Sequence, residues 1–243
     1  INAANKVLQT EPVAVTDKST TISGNPHNFE SLSIYWWPDP KNPTGPYIAK
    51  DGQANPEHTQ YDLPRLQKLV DNLEKVCKAY IATKDQKYFD YFCKQLDVWF
   101  INEDTKMLPN FNYCQFIPGR NNGKGNPQGM IDSYNFNPII NNIDKVNAIQ
   151  TIGNKRLKAV RKWMKNFAKW METSENGKVA SRYTNNQGIA YDTTLFNIYR
   201  FAGNHKKCNQ LIQSCCNRIK QQIDFEGKQP EEIKRTRAYF YSV

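Results

Sequence analysis

Apolar residues are spaced unevenly along the chain, and the spacing separates two kinds of segment. Up to about residue 60 no helical or alternating period is sustained. Turn-forming residues punctuate this stretch at Gly24-Asn25-Pro26, Pro38-Asp39-Pro40, Asn42-Pro43 and Gly45-Pro46. Irregular but packed coil is expected here, because Tyr35, Trp36, Trp37 and Tyr47 must find burial or a ligand. From Leu63 the apolar positions recur at three- and four-residue intervals, through Leu66, Leu69, Val70, Leu73, Val76, Cys77 and Tyr80, which predicts an amphipathic helix. A second helix is predicted over about 86–99 from Tyr88, Phe89, Phe92, Leu96 and Trp99.

A polar loop rich in Pro and Gly then runs over 102–129, and loops of that length are usually functional or disordered. Helical spacing resumes over about 131–149 and 155–173, the latter ending at Ser174-Glu175-Asn176-Gly177 as a stop signal. Two further helices are predicted over about 188–202 and 205–225, with Gly203-Asn204 as the turn between them. After Gly227-Lys228-Gln229-Pro230, a last helix starts at Glu231 and continues to the C-terminus. No strand is predicted. Repeated helix, short turn, helix describes an all-α array of stacked antiparallel hairpins, curved and with a concave face. No fixed-length repeat marks a consensus solenoid. The last helix meets no stop signal before Val243, so residues 1–243 are expected to form one domain truncated at its C-terminus.

Composition narrows this only in places. An apolar share of 39% with 12% aromatic residues is that of a folded chain, not a disordered one. A mean hydropathy of −0.76 and the lack of any apolar run of about 18 residues exclude a membrane span. Lys and Arg number 33 against 23 Asp and Glu, a formal charge of +10. Such a surface favours polyanions: nucleic acid, anionic membrane or acidic polysaccharide. The basic residues are read as spread along the chain without a nucleic-acid motif, which places nucleic acid last. The six cysteines form no Cys-x-x-Cys pair, and Cys215-Cys216 in a helix are poorly placed to bond each other. Six free thiols, or one distant disulfide among them, remain open. Ile1 is not an initiator methionine, which fits removal of a signal peptide and a secreted or periplasmic location.

The chemistry is bounded first by what is missing. There is no phosphate-binding loop of the Gly-rich Lys-Ser/Thr type, no Gly-x-Ser-x-Gly elbow and no His-Glu-x-x-His. His27, His58 and His205 are scattered without metal-ligand spacing, and no metal or cofactor is expected. Four segments stand out instead. They are Tyr35-Trp36-Trp37-Pro38-Asp39-Pro40; Pro46 to Gly52 with Asn55-Pro56-Glu57; Met107-Leu108-Pro109-Asn110 through Cys114-Gln115-Phe116-Ile117-Pro118-Gly119-Arg120 to Gly129-Met130-Ile131-Asp132; and Asn185-Asn186-Gln187-Gly188 with the distant Gln229-Pro230-Glu231-Glu232-Ile233-Lys234-Arg235-Thr236-Arg237, Tyr239 and Tyr241.

In that order and spacing the segments resemble the alginate lyase family of polysaccharide lyases, over nearly the whole chain from about Gly24 to Tyr241. The resemblance implies an incomplete (α/α) toroid, and a lyase that cleaves an acidic polysaccharide containing uronate by β-elimination. It implies that Asn186 faces the substrate carboxylate and that Tyr241 is the general acid, and in one reading the base as well. Gln187 stands where the family usually has His, and glutamine cannot take a proton at neutral pH. Arg235 and Arg237 are both candidates to assist the phenol: Arg235 keeps the family's Glu-x-x-Arg order, whereas Arg237 is four residues from Tyr241. Substrate binding falls to Tyr35, Trp36, Trp37, Lys50, Gln115, Arg120 and Lys124, since aromatic rings stack on sugar faces and cations attract carboxylates.

Each assignment has a plain structural alternative. Trp36-Trp37 can be core packing, Lys50-Asp51-Gly52 an ordinary turn, Arg120 and Lys124 solvated side chains, and Asn185 to Gly188 a helix cap. His27 and His58 read more readily as structural or exposed than as catalytic, and His205 as a helix-start residue. Gln187 also motivates a second function, a catalytically impaired protein that binds acidic polysaccharide on the same scaffold. Oligomeric state and polymer preference are not encoded in any motif.

Overall fold

A computed structural model describes residues 1–239. The chain starts with a short helix, α1 (Asn2–Leu8), which the sequence reading assigned to coil. Only Ala4 and Val7 of it are buried, too few to register as a period. Short extended pieces follow: β1 (Glu30–Leu32), β2 (Trp36–Trp37) and β3 (Ile48–Ala49). β2 pairs antiparallel with β3, Trp36 opposite Ala49 and Trp37 opposite Ile48. β1 pairs in parallel with β4 (Tyr113–Phe116), across a register shift. The expectation of no strand is therefore corrected. These strands are two to four residues long, too short to show alternation in sequence.

The helices follow the apolar period closely. α2 (Leu63–Thr83) buries Leu66, Leu69, Leu73, Val76, Cys77 and Tyr80. Its second residue is Pro64, tolerated in the first turn because that N–H would have no intrahelical partner. α3 (Gln86–Phe100) is capped by Asp85, whose carboxylate accepts from Lys87 N, and it buries Tyr88, Phe92, Leu96 and Trp99. α4 (Phe136–Ile149) begins five residues later than predicted, because 3-10 turns occupy Pro127–Asn135. α5 (Asn154–Thr173) ends at Ser174 as expected, but Ser174 also caps α6 (Glu175–Ala180) and so joins two helices. α7 (Asn186–Phe201) and α8 (His205–Gln222) are capped by Asn185 and Asn204. The last predicted helix is, among the described residues, one turn, α9 (Pro230–Ile233), then turns over 234–237 and helical backbone again at Ala238 and Tyr239.

α2 packs on α3 and α4, α4 on α7, and α7 on α8, while α5 lies against α3 and α7. α2, α4 and α7 thus form one row, and α3, α5 and α8 a second. The architecture is all-α, an incomplete (α/α) toroid of antiparallel helix hairpins with an irregular N-terminal segment. The stretch read as a functional or disordered loop is ordered, and part of it belongs to the core. Its Met107, Phe111 and Cys114 are fully buried. Phe111 lies 4.9 Å from Phe167 and 6.0 Å from Phe136, between ring centroids, and Trp163 Nε1 donates to Met107 O at 2.6 Å. All six cysteines are free. No described helix is long and apolar enough to cross a membrane.

Candidate active site

A cleft of about 600 Å³ opens where the irregular N-terminal segment meets the start of α7. It is lined by Tyr35, Trp36 and Asp51 of the N-terminal segment, by Gln115, Gln128 and Ile131, and by Tyr183, Asn186, Gln187 and Arg235. Asn186 and Arg235 are far apart in sequence, and Glu232 brings them together. Its side chain is fully buried, and its Oε1 accepts from Asn186 N at 2.8 Å. Its Oε2 has no hydrogen-bond partner among the described residues and lies 3.8 Å from Arg235 Nη1. Arg235 Nη2 in turn donates to Asp51 Oδ1 at 2.7 Å, and Thr236 N to Asp51 Oδ2 at 3.0 Å. The Arg235 guanidinium beside Asp51 holds that carboxyl down to about 2, so the two are a fixed ion pair at neutral pH.

The start of α7 is fixed just as firmly. The cap of Asn185 accepts from Gln187 N at 3.1 Å, which leaves the Asn186 and Gln187 side chains at the cleft. Arg218 of α8 is buried against Asp192, with Nε 2.6 Å from Oδ2, and also donates to Ser181 O at 2.9 Å and to Tyr183 O. That single guanidinium ties the segment before α7 onto α7 and α8. The close approach requires Gly188: a Cβ there would collide with Tyr183 O and Arg218 Nη1. Asn186 Oδ1 is buried and without a partner among the described residues. Such a group is costly unless a ligand completes it.

Part of the cleft lining carries strain. Gln115 has φ of 50°, a left-handed conformation that few non-glycine residues adopt. Ser31 Oγ accepts from Gln115 N at 2.8 Å, and Gln115 Nε2 donates to Asp132 Oδ1 at 3.0 Å. Asp132 is buried, and burial pushes its carboxyl up despite donors from Cys114, Gln115 and Ser31. This network fixes the Gln115 amide at the cleft. Burial also pushes the Tyr183 phenol up.

The other sequence-predicted residues divide. Arg120 is exposed at the rim, its guanidinium 4.8 Å from the Trp36 ring centre. Lys50 lies 5.1 Å over Trp37, whose Nε1 donates to Gln53 O at 2.8 Å; neither residue is among those lining the cleft. Trp36 and Trp37 are both half-buried, so pure core packing does not describe them. Lys124 lines a separate cavity of about 580 Å³ with Trp170 and Asn176. Three successive left-handed residues, Asn121, Asn122 and Gly123, precede it and turn the backbone. Arg237 is exposed and packs near Gly52, outside the cleft lining. Tyr239 is 85% exposed. Tyr241 lies outside the described residues. His27 is structural, its Nδ1 2.7 Å from Lys106 O. Among the described residues no group of three or more His, Cys, Asp or Glu could hold a metal ion.

Sequence reasoning passed over Asp51, Tyr183 and Glu232 as site residues. Tyr183 could have been found by its place three residues before Asn186. Glu232 stands in the Glu-x-x-Arg order that marked Arg235, but nothing in the sequence marks it as buried.

Fold and cleft together define an (α/α)-toroid protein with an amide- and aromatic-walled cleft. The chain belongs to the alginate lyase family, whose family model matches residues 14–243. It is similar to the crystal structure of an alginate lyase from Bacteroides ovatus, with a TM-score of 0.94 and 37% identity over 99% of this chain. The chain spans 64% of that protein. A comparison with curated proteins finds no match.

Proposed function

We propose that the chain is a polysaccharide lyase that cleaves a uronate-containing acidic polysaccharide, alginate or a similar polymer, by β-elimination. The observation that carries this reading is the meeting of Asn186, Gln187 and Arg235 in one cleft within a member of the alginate lyase family. In the reaction a base takes the C5 proton, a C4–C5 double bond forms, and the C4–O bond breaks as an acid protonates the leaving oxygen. The C5 proton is weakly acidic, so the site must neutralise the neighbouring carboxylate and stabilise developing enolate charge. Asn186 and Gln187 supply amide donors, and Arg235 supplies positive charge. Tyr35 and Trp36 offer faces for sugar rings. Tyr241 is the acid and, with Gln187 in place of an imidazole, also the base. Such a polymer is met outside the cytoplasm, in keeping with a secreted or periplasmic setting.

The test is ultraviolet absorbance of the unsaturated uronate end during incubation with a panel of acidic polysaccharides. Absorbance should rise with one or more polymers, and faster toward alkaline pH, because a free phenol has a pKa of about 10. Tyr241→Phe should abolish the rise while polymer binding persists, and Gln187→His should accelerate it. Undiminished activity in Tyr241→Phe would overturn the mechanism. Gln187 favours one alternative, a binding protein on the same scaffold; retention of polymer without any absorbance change would establish it.

A further inference from the structure

The cleft does not account for the net charge of +10. Its lining cation Arg235 is opposed by Asp51 and has Glu231 close by in the same lining. The basic residues, read from the sequence as spread along the chain, are also concentrated on one helix. Between Asn154 and Thr173, α5 carries Lys155, Arg156, Lys158, Arg161, Lys162, Lys165 and Lys169 against one acid, Glu172. Arg156 is paired with Asp97, and Glu172 is taken by Lys207. Lys155, Lys158, Lys162, Lys165 and Lys169 are exposed. None of them has an ion-pair partner among the described residues.

Like charges three and four residues apart destabilise a helix, so this face works against its own element. It also has shape. Lys158, Arg161, Lys162 and Lys165 border a depression of about 510 Å³ that Leu157 and Ala202 also line. Arg161 is held in place 5.1 Å over the Phe201 ring. None of these residues lines the catalytic cleft.

We propose that the exposed face of α5 is a second binding site, outside the cleft, for a linear acidic polysaccharide. Lys158, Lys162, Lys165 and Lys169 recur once per helical turn, about 5.4 Å of rise, which suits a polymer with one carboxylate on each sugar. A small anion would engage only one or two of them. A membrane surface calls for exposed apolar anchors, and single-stranded nucleic acid for exposed stacking rings. On α5 Trp163 and Phe167 are buried, and Trp170 Nε1 is bonded to Asn112. A chain held on α5 raises the local concentration of polymer at the cleft. The choice of ligand rests on the lyase reading above; the cationic site itself does not.

The experiment measures alginate binding across a salt series for the wild-type protein, for the combined Lys158→Gln, Lys162→Gln and Lys165→Gln variant, and for the corresponding triple Lys→Arg variant. The Gln variant should melt at or slightly above wild type and lose at least about tenfold in affinity, with a log–log salt slope shallower by about two. The Arg variant should retain both. Turnover of a uronate trisaccharide, too short to reach both sites, should be the same in all three. Unchanged affinity and slope in the Gln variant would overturn the proposal. So would α5-dependent binding to duplex DNA or to phosphatidylserine vesicles that exceeds binding to alginate. If no uronate is turned over by any variant, the lyase reading fails, while the loss of binding still supports the α5 site.

Discussion

Two buried carboxylates each tie distant parts of the chain together, and they do so differently. Asp62 accepts from Glu30 N at 2.8 Å and from Arg65 at 3.2 Å, and it pairs with Lys18. Both of its oxygens are used, and the Lys18 and Asp62 side chains are almost wholly buried. Glu232 is as deeply buried, yet one of its oxygens has only a long contact with Arg235, and the adjacent Asn186 Oδ1 has no partner among the described residues. A closed set of donors and acceptors holds the irregular N-terminal segment onto α2. An open set at the cleft keeps polar capacity for something that arrives later. Burial alone, then, does not separate a structural anchor from a functional one; the unmatched atoms do.

That contrast is open to direct attack. Asp62→Ala leaves the Lys18 ammonium buried and unpaired, which should cost about 3–5 kcal/mol of stability, measured by urea unfolding. A loss below about 1 kcal/mol would show that Asp62 is no anchor. Glu232→Ala should reverse the pattern. Displacing Asn186 and Arg235 should lower polymer turnover about 10²-fold, with a smaller loss of stability, of about 1–3 kcal/mol. Turnover and melting measured on one preparation separate the two effects. Gly188→Ala should cost about 1–3 kcal/mol, because the new methyl meets Tyr183 O and Arg218, and denaturant unfolding reports it.

The smallest effect is electrostatic. The folded-state pKa of Asp51, about 2, is depressed below the usual carboxylate value of about 3.9. Its pairing with Arg235 therefore contributes stability above pH of about 4, which is lost as the pH falls through about 2. In an NMR titration the Asp51 midpoint should rise toward the ordinary carboxylate range in Arg235→Gln. An unmoved midpoint would mean that Arg235 is not its main partner.

Much of the helical array was legible because its stabilisation is periodic. The apolar period from Leu66 to Tyr80 marks α2 from its first residue, although the helix runs on to Thr83, and Tyr88, Phe92, Leu96 and Trp99 place α3 within a residue of its predicted ends. The 3-10 turns before α4 were not legible, since Met130 and Ser133 mimic a helical period without forming one. In the cleft, Asn186, Gln187, Gln115, Trp36 and Arg235 could be named from their motifs. Glu232 stood in the same motif as Arg235, but its burial depends on a contact 46 residues away that no local pattern encodes. Lys124 shares the motif of Gln115 and Arg120, but after the turn at Asn121 to Gly123 it lines the Trp170 cavity and not the cleft.

The Arg235–Asp51 pair spans 184 residues of chain. A ribosome adding roughly 5–20 residues per second therefore takes on the order of ten seconds or more between making the first residue and making the second. During that time α2 through α8 can emerge and pack, while the N-terminal wall of the cleft waits without its cationic partner. The helical stack can thus form before the cleft does. Slow, late recovery of cleft-dependent signals after dilution from denaturant, behind the return of helical ellipticity, is the kinetic trace such an order of assembly would leave.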